Sequence, residues 1–181
     1  MTRRFKIPLW FSWCVFQACW FLAVLGRDSI LYLSVIPILL VFILTEIKLV
    51  PSKSKSACYS RYLTRLAIAS VGILFDWLLD HFAVIRFSAD NNVIPVWLLL
   101  LWLTFALSFP ACYSWLQSRP VKVAVILGCV FGPLAYWGAA KLNTVTIVLP
   151  VLFTLLSSAF WGGLFGVILG NRKIRKRVFT E

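Results

Sequence analysis

The sequence predicts an all-α integral membrane bundle of six transmembrane helices with both termini in the cytoplasm. Three observations carry that prediction. Of the 181 residues, 61% are hydrophobic and 13% charged, against about 45–50% and about 25% in an ordinary soluble domain. Six charge-poor runs, at residues 7–26, 29–45, 66–85, 93–116, 123–140 and 145–170, each come near the roughly 20 residues that span a hydrocarbon layer as a helix. The basic residues then fall in alternate loops.

The runs are apolar on every face, whereas a membrane β-strand alternates polar and apolar over about ten residues. They are therefore read as helices. The longest gap, residues 46–65, leaves no room for a soluble domain, so residues 1–181 form a single six-span membrane domain.

A net charge of +12 would suggest nucleic acid in a soluble protein. Here its placement is topological. Arg3, Arg4 and Lys6 precede the first span, and Lys48, Lys53, Lys55, Arg61 and Arg65 separate the second from the third. Arg119 and Lys122 lie between the fourth and fifth, and Arg172, Lys173, Arg175, Lys176 and Arg177 follow the sixth. Only Arg27, Arg86 and Lys141 fall in the other loops, so the positive-inside rule puts both ends in the cytoplasm. The expected partners are membrane lipids and not nucleic acid. The basic tail adds about 1 kcal/mol per charge against an anionic leaflet.

Cys14, Cys19, Cys112 and Cys129 lie within spans and Cys58 in a cytoplasmic loop, a distribution that suits small apolar packers and no disulfide framework. No metal-ligand cluster or cofactor motif occurs, and there is no HExxH, phosphate loop or nucleophile elbow. Neither a catalytic residue, a metal nor a cofactor is expected. The N-terminal run is long, Trp-rich and without a small-residue cleavage pattern, so it reads as an uncleaved first helix.

Trp10 and Trp115 near the inner face, and Trp20, Trp97 and Trp137 near the outer, are placed as interfacial anchors. Trp13, Trp102 and Trp161 sit deeper, where they fill space between helices or line a cavity. In the fifth span Ala124, Gly128 and Gly132 recur every four residues, as do Ser158, Gly162, Gly166 and Gly170 in the sixth. Small residues at this spacing let backbones approach closely, so the two helices should pack on each other or on another span, with a homo-oligomer through the sixth as a further use. Pro133 should kink the fifth span or release a carbonyl to a partner. Laying the first three spans against the last three reveals no repeat.

In the third span Ala69, Gly72, Asp76, Asp80 and Ala83 share one helical face. Counting from Arg65 puts Asp76 roughly 16 Å into the membrane. A charge there costs on the order of 2.5–3.5 kcal/mol on insertion scales, so Asp76 should face protein or water and be paired or protonated. Gln17 reaches a similar depth on the first span, flanked by Trp13 and Trp20, and is the expected partner. Thr104, Ser157 and Ser158 reach it too, with hydroxyls that can bond back to their own helices. Asp80 stands beside His81, the single histidine, and within reach of Arg86 or Lys141. An Asp–His pair can carry protons near neutrality.

These residues sit in longer patterns: Phe16-Gln17-Ala-Cys-Trp20-Phe21, Gly72-Ile-Leu-Phe-Asp76, Pro95-Val-Trp97, Leu101-Trp102-Leu-Thr-Phe105-Ala106 and Gly132-Pro133-Leu-Ala-Tyr136. Through them nearly the whole chain resembles the bacterial inner-membrane family called domain of unknown function 2878. Asn143 departs from it, standing where a small residue is expected after Leu142. The resemblance implies a multi-pass inner-membrane location and supplies no activity. It also implies an association with lipid-modifying enzymes, because genes resembling cyclopropane-fatty-acid synthases often lie beside the family's. Tyr136 joins Asp76, Gln17, Asp80, Trp13 and Trp20 as a candidate buried polar or ligand site. The expectation is a non-catalytic factor in membrane-lipid or envelope homeostasis. A small proton-linked transporter using Asp76, and an intramembrane enzyme using Asp76, Asp80 and His81, are the alternatives.

Overall fold

The computed structural model describes residues 8–49, 55–87 and 94–179, so Arg3, Arg4, Lys6 and Lys53 of the charge argument lie outside the described residues. Seven helices occur within them: α1 (Leu9–Leu25), α2 (Val35–Leu49), α3 (Lys55–His81), α4 (Val96–Tyr113), α5 (Val121–Lys141), α6 (Pro150–Gly170) and α7 (Arg172–Phe179). Four of these, α3 to α6, are long and apolar enough to cross a membrane, α4 being counted with the tight turn that continues it to Ser118. The chain is thus a membrane protein. α1 and α2 are shorter, and a 3-10 turn at Ile30–Ser34 runs directly into α2.

The all-α expectation needs one correction, because β1 (Ile85–Phe87) and β2 (Val145–Ile147) form an antiparallel pair in which Arg86 faces Thr146. The two strands arise in the same way. At the end of α3 the Val84 amide donates to the Leu79 carbonyl and the Ala83 amide to Asp80, with Ala83 at φ 54°. At the end of α5 Thr144 donates to Ala139 and Asn143 to Ala140, with Asn143 at φ 56°. Both are Schellman terminations, in which a left-handed residue turns the chain out of the helix. Asparagine tolerates that conformation, which suits Asn143 to the turn.

The third and sixth predicted spans therefore end differently from expectation. Residue 85 lies in β1 rather than in the third span, and the sixth helix starts at Pro150 rather than at residue 145, its proline taking the first helical position. α3 also starts well before residue 66. Nothing between Lys55 and Val71 breaks a helix, so it propagates through the segment read as a loop, and Cys58, Arg61 and Arg65 are helical. Arg61 and Arg65 are 4% and 0% exposed. Arg65 Nη2 donates to the Val178 carbonyl at 2.8 Å, placing a cation at the C-terminal end of α7. α7 begins on an Asn171 cap to the Lys173 and Ile174 amides and buries Val178, while Phe179 meets Phe109.

A repeat exists after all, between α3–β1–α4 and α5–β2–α6. Gly72 and Gly132 occupy matching places in α3 and α5, and each lies where a Cβ would collide with an indole: Trp102 of α4 for Gly72, Trp161 of α6 for Gly132. Asp76 and Tyr136 follow them one turn later in each unit. The two indoles stack at 5.0 Å with an 11° interplanar angle. Comparing first three spans with last three puts α3 against α6, and so misses the match.

α5 and α6 form the most extensive helix pair, as the small-residue stripes require. Gly128 sits against the Trp161 backbone and Gly162 against Cys129 and Val125; Gly166 approaches Val125. Pro133 has no N–H to give the carbonyl four residues back, and Ser158 Oγ donates to that Cys129 carbonyl at 2.9 Å. Ser158 thus bonds across helices and not to its own. Thr104 does bond back, to Leu100 at 2.7 Å.

This repair is testable. Ser158→Ala should lower stability in detergent by about 1 kcal/mol in the parent chain and by much less in a Pro133→Ala background, where the backbone bond is restored. Equal losses in both backgrounds, read by thermal unfolding as a double-mutant cycle, would contradict it.

Candidate functional site

A carboxyl group removed from water must have its oxygens satisfied by the protein. Asp76 is 0% exposed. Its Oδ2 accepts from Trp102 Nε1 at 2.6 Å and its Oδ1 from the Tyr136 hydroxyl at 2.5 Å. The expected partner Gln17 is not one of these donors. The equal-depth argument placed it beside Asp76, but α3 ends at His81, so Asp76 lies only about 8 Å from the sheet end of its helix, level with Trp20 and Tyr136 and above Gln17.

Against this carboxyl lies a cavity of about 600 Å³, within the roughly 300–1,000 Å³ of pockets that take drug-sized molecules. α1 contributes Trp13, Phe16, Gln17 and Trp20; α4 contributes Trp97, Trp102 and Phe105; α5 contributes Tyr136, with Trp161 from α6. Gln17, Trp13, Trp20, Asp76 and Tyr136 therefore share one cavity. Trp20 and Trp97, read as outer-face anchors, and Trp115, read as an inner-face one, line it as well, and Trp97 is buried. Among the anchors, Trp10 is strongly exposed and Trp137 and Trp115 moderately so. Trp13 also donates its Nε1 to the Cys112 carbonyl at 3.0 Å.

The mouth can be located from exposure. Gln17, Phe131, Leu134 and Ala135 line the cavity and are exposed, and all four sit along the middle of α1 or α5. α1 packs along α4 and makes no comparable interface with α5. The opening is thus on the flank of the bundle. At the sheet end Val24, Phe87 and Val145 line it, and near them Arg27 Nη1 donates to the Leu142 carbonyl at 3.2 Å and to Thr144 Oγ1 at 2.9 Å. Thr144 is fully buried and donates in turn to the Val24 carbonyl at 3.5 Å.

Asp80 and His81 do not form the pair their adjacency suggested. Arg86 Nη1 donates to the Asp80 carbonyl at 2.6 Å and lies 3.7 Å from its Oδ1, which also accepts from the Phe87 amide at 3.3 Å. That ties β1 to α3. His81 is exposed and stacks on Trp77. Asp80 is absent from the cavity wall. Pro133, Gly128, Gly132, Gly162 and Gly166 serve helix packing, although Gly128 and Gly132 also border the cavity. Among the described residues no group of His, Cys, Asp or Glu could hold a metal ion.

Reasoning from the sequence offered cavity lining for Trp13, Trp102 and Trp161, and missed Trp102 as the donor to Asp76, Trp97 as a cavity wall, and the Arg27–Thr144 bond. The signal available for the first was the pair Gly72/Asp76 and Gly132/Tyr136.

Fold and site together define a polytopic membrane protein with an internal repeat and a flank-opening aromatic cavity over one buried carboxyl. The family model for the protein of unknown function DUF2878 matches residues 9–167, and the chain belongs to that family. No curated protein and no solved structure matches it.

Replacing Asp76 by Leu strands two buried donors, each costing about 1–3 kcal/mol. Asp76→Leu should therefore lower the melting temperature in detergent well below that of Asp76→Asn, which keeps an acceptor. Equal melting temperatures for the two variants would show that the bonds carry no stability.

Proposed function

We propose that this chain is a single six-span domain of a bacterial inner membrane, both termini cytoplasmic, and a non-catalytic factor in membrane-lipid or envelope homeostasis that takes an amphiphilic membrane molecule into the cavity. α1, at 17 residues, is at the short end of what spans a bilayer, and the turn at Ile30–Ser34 lengthens α2 to a comparable reach. The observation that carries the reading is the cavity itself. Its walls are almost wholly aromatic and aliphatic, it opens on the flank where lipid tails lie, and its single acidic group among the described residues is the buried Asp76. Such a wall favours a chain over a water-borne solute. Lipid-modifying enzymes are the partner class that fits this role, and homo-oligomers fit the exposed small residue Gly163 on α6.

The transporter alternative would use Asp76 as a proton carrier beside the Pro133 break. Ser158 already occupies the carbonyl that the break frees, which leaves that alternative without its second feature.

Lipid extracts from a strain lacking this gene should differ from those of the parent and be restored by the wild-type chain. Ala135→Trp, which fills the mouth and leaves both Asp76 bonds in place, should accumulate to the same level and fail to restore them. Unchanged lipids on deletion, or full rescue by Ala135→Trp, would contradict the reading.

A further inference from the structure

The cavity has a length, a volume and two unlike ends, and together they restrict what can lie in it. Between α1 and α5 it is a slot. At the sheet end the Trp20 indole comes up against Gly138, where an added Cβ would stand 3.8 Å from the ring. Beyond that contact the lining side chains Val24, Phe87 and Val145 are buried. Short of it the helices part, and Gln17, Phe131, Leu134 and Ala135 are exposed along the opening. From Gly138 back to Leu127 the α5 lining covers roughly 16 Å of rise. That is about half of a hydrocarbon layer about 30 Å thick, so the slot is as deep as one leaflet. Its volume of about 600 Å³ equals that of ~20 water molecules at about 30 Å³ each. A methylene fills nearly the space of a water, so one acyl chain occupies the slot and leaves no room for a second.

The far end is built differently. Trp13, Tyr113 and Trp115 line it and none of the three is buried, the amphipathic rings that suit a head-group boundary. The loop from this end into α5 carries Arg119 and Lys122, both exposed, and residues 114–126 include no acid. At the sheet end Arg27, Arg86 and Lys141 share the surface with Asp28 and Asp80, the first two in ion pairs. We infer that the slot takes one acyl chain of an anionic lipid from the leaflet on the Trp115 side, its methyl end against Trp20 and its head beside Arg119 and Lys122. The chain enters sideways through the opening and keeps its membrane orientation, so no head group crosses apolar surface. Asp76 has no exposed surface and takes no part in the binding. This assignment rests on the proposed amphiphile-binding role and adds to it the number of chains, the leaflet and the charge of the head.

The test uses the full chain in phosphatidylcholine vesicles, with photolabelling mapped by mass spectrometry. The probe is phosphatidylglycerol carrying a diazirine on one chain, either beside the ester or at the methyl end. Phosphatidylcholine with the same tagged chain, and a tagged free fatty acid, are run in parallel. Slot labelling should saturate, the ester-end diazirine marking Trp13 and Tyr113 and the methyl-end one Trp20 and Leu101, while labelling of the exposed Val151 on α6 keeps rising with probe. A cation near an anionic surface is worth about fivefold, so phosphatidylglycerol should label the slot at least that much more than phosphatidylcholine. Replacing both Arg119→Gln and Lys122→Gln should erase this preference and keep the slot labels. Ala135→Trp should remove the slot labels and keep the one on Val151. Stronger slot labelling by the fatty acid than by phosphatidylglycerol identifies a one-tail source, and weaker labelling a two-tail one. Ester-end labels at Trp20, or equal labelling by anionic and zwitterionic heads, would overturn the leaflet and head assignment and leave the amphiphile cavity standing. No saturable slot labelling by any probe would overturn both.

Discussion

The rest of the structure depends on a carboxyl group that no water reaches and that two neutral donors hold in place. Asp76 could not be buried at 0% exposure without them, since its desolvation would cost more than a marginally stable fold can spare. Trp102 and Tyr136 come from α4 and α5, so satisfying one side chain joins α3, α4 and α5. Trp102 can reach Asp76 because Gly72, one turn earlier on α3, gives its indole a place to lie. The glycine, the indole and the acid are a single device.

That device is half of a pair. Gly132 makes the same space for Trp161, and Tyr136 stands where Asp76 stands in the other unit. Had both positions kept an acid, two carboxyls would face each other in a dry interior. An acid opposite a phenol gives an acceptor opposite a donor, and the two close on each other. Meanwhile β1 and β2 tie the two units at one end, and Ser158 repairs the backbone break at Pro133 within the α5–β2–α6 unit.

Much of this was legible in the sequence, and the physical reason is that lipid is an undemanding solvent to read. Hydropathy marks long apolar runs, small residues every four positions mark close helix pairs, and an acid within an apolar run marks a group that must find partners. The helix ends were less legible. Ala83 carries no local sign of a left-handed turn, and the polar stretch from Lys55 to Arg65 looks like a loop because its charges, not its helix propensity, stand out. Arg61 and Arg65 are counted for topology but are buried, and Arg65 holds the end of α7. The partner of Asp76 was misread for a related reason. Depth along a helix is a one-dimensional measure, and Gln17 satisfied it while α1 packed on α4 instead of beside Asp76. Tryptophans were assigned to the interface by distance from the loops, and the fold turned Trp20 and Trp97 inward onto a cavity that no residue count reveals.

The central claim is that the Trp102 indole N–H is permanently engaged by Asp76. It is most directly read from the indole region of a proton–nitrogen correlation spectrum, where the nine tryptophans give separate signals. The Trp102 signal should resist exchange with solvent, lie downfield of the exposed Trp10 signal, and move upfield in Asp76→Leu. A Trp102 signal that exchanges as fast as that of Trp10, or that does not move when Asp76 is replaced, would contradict the account.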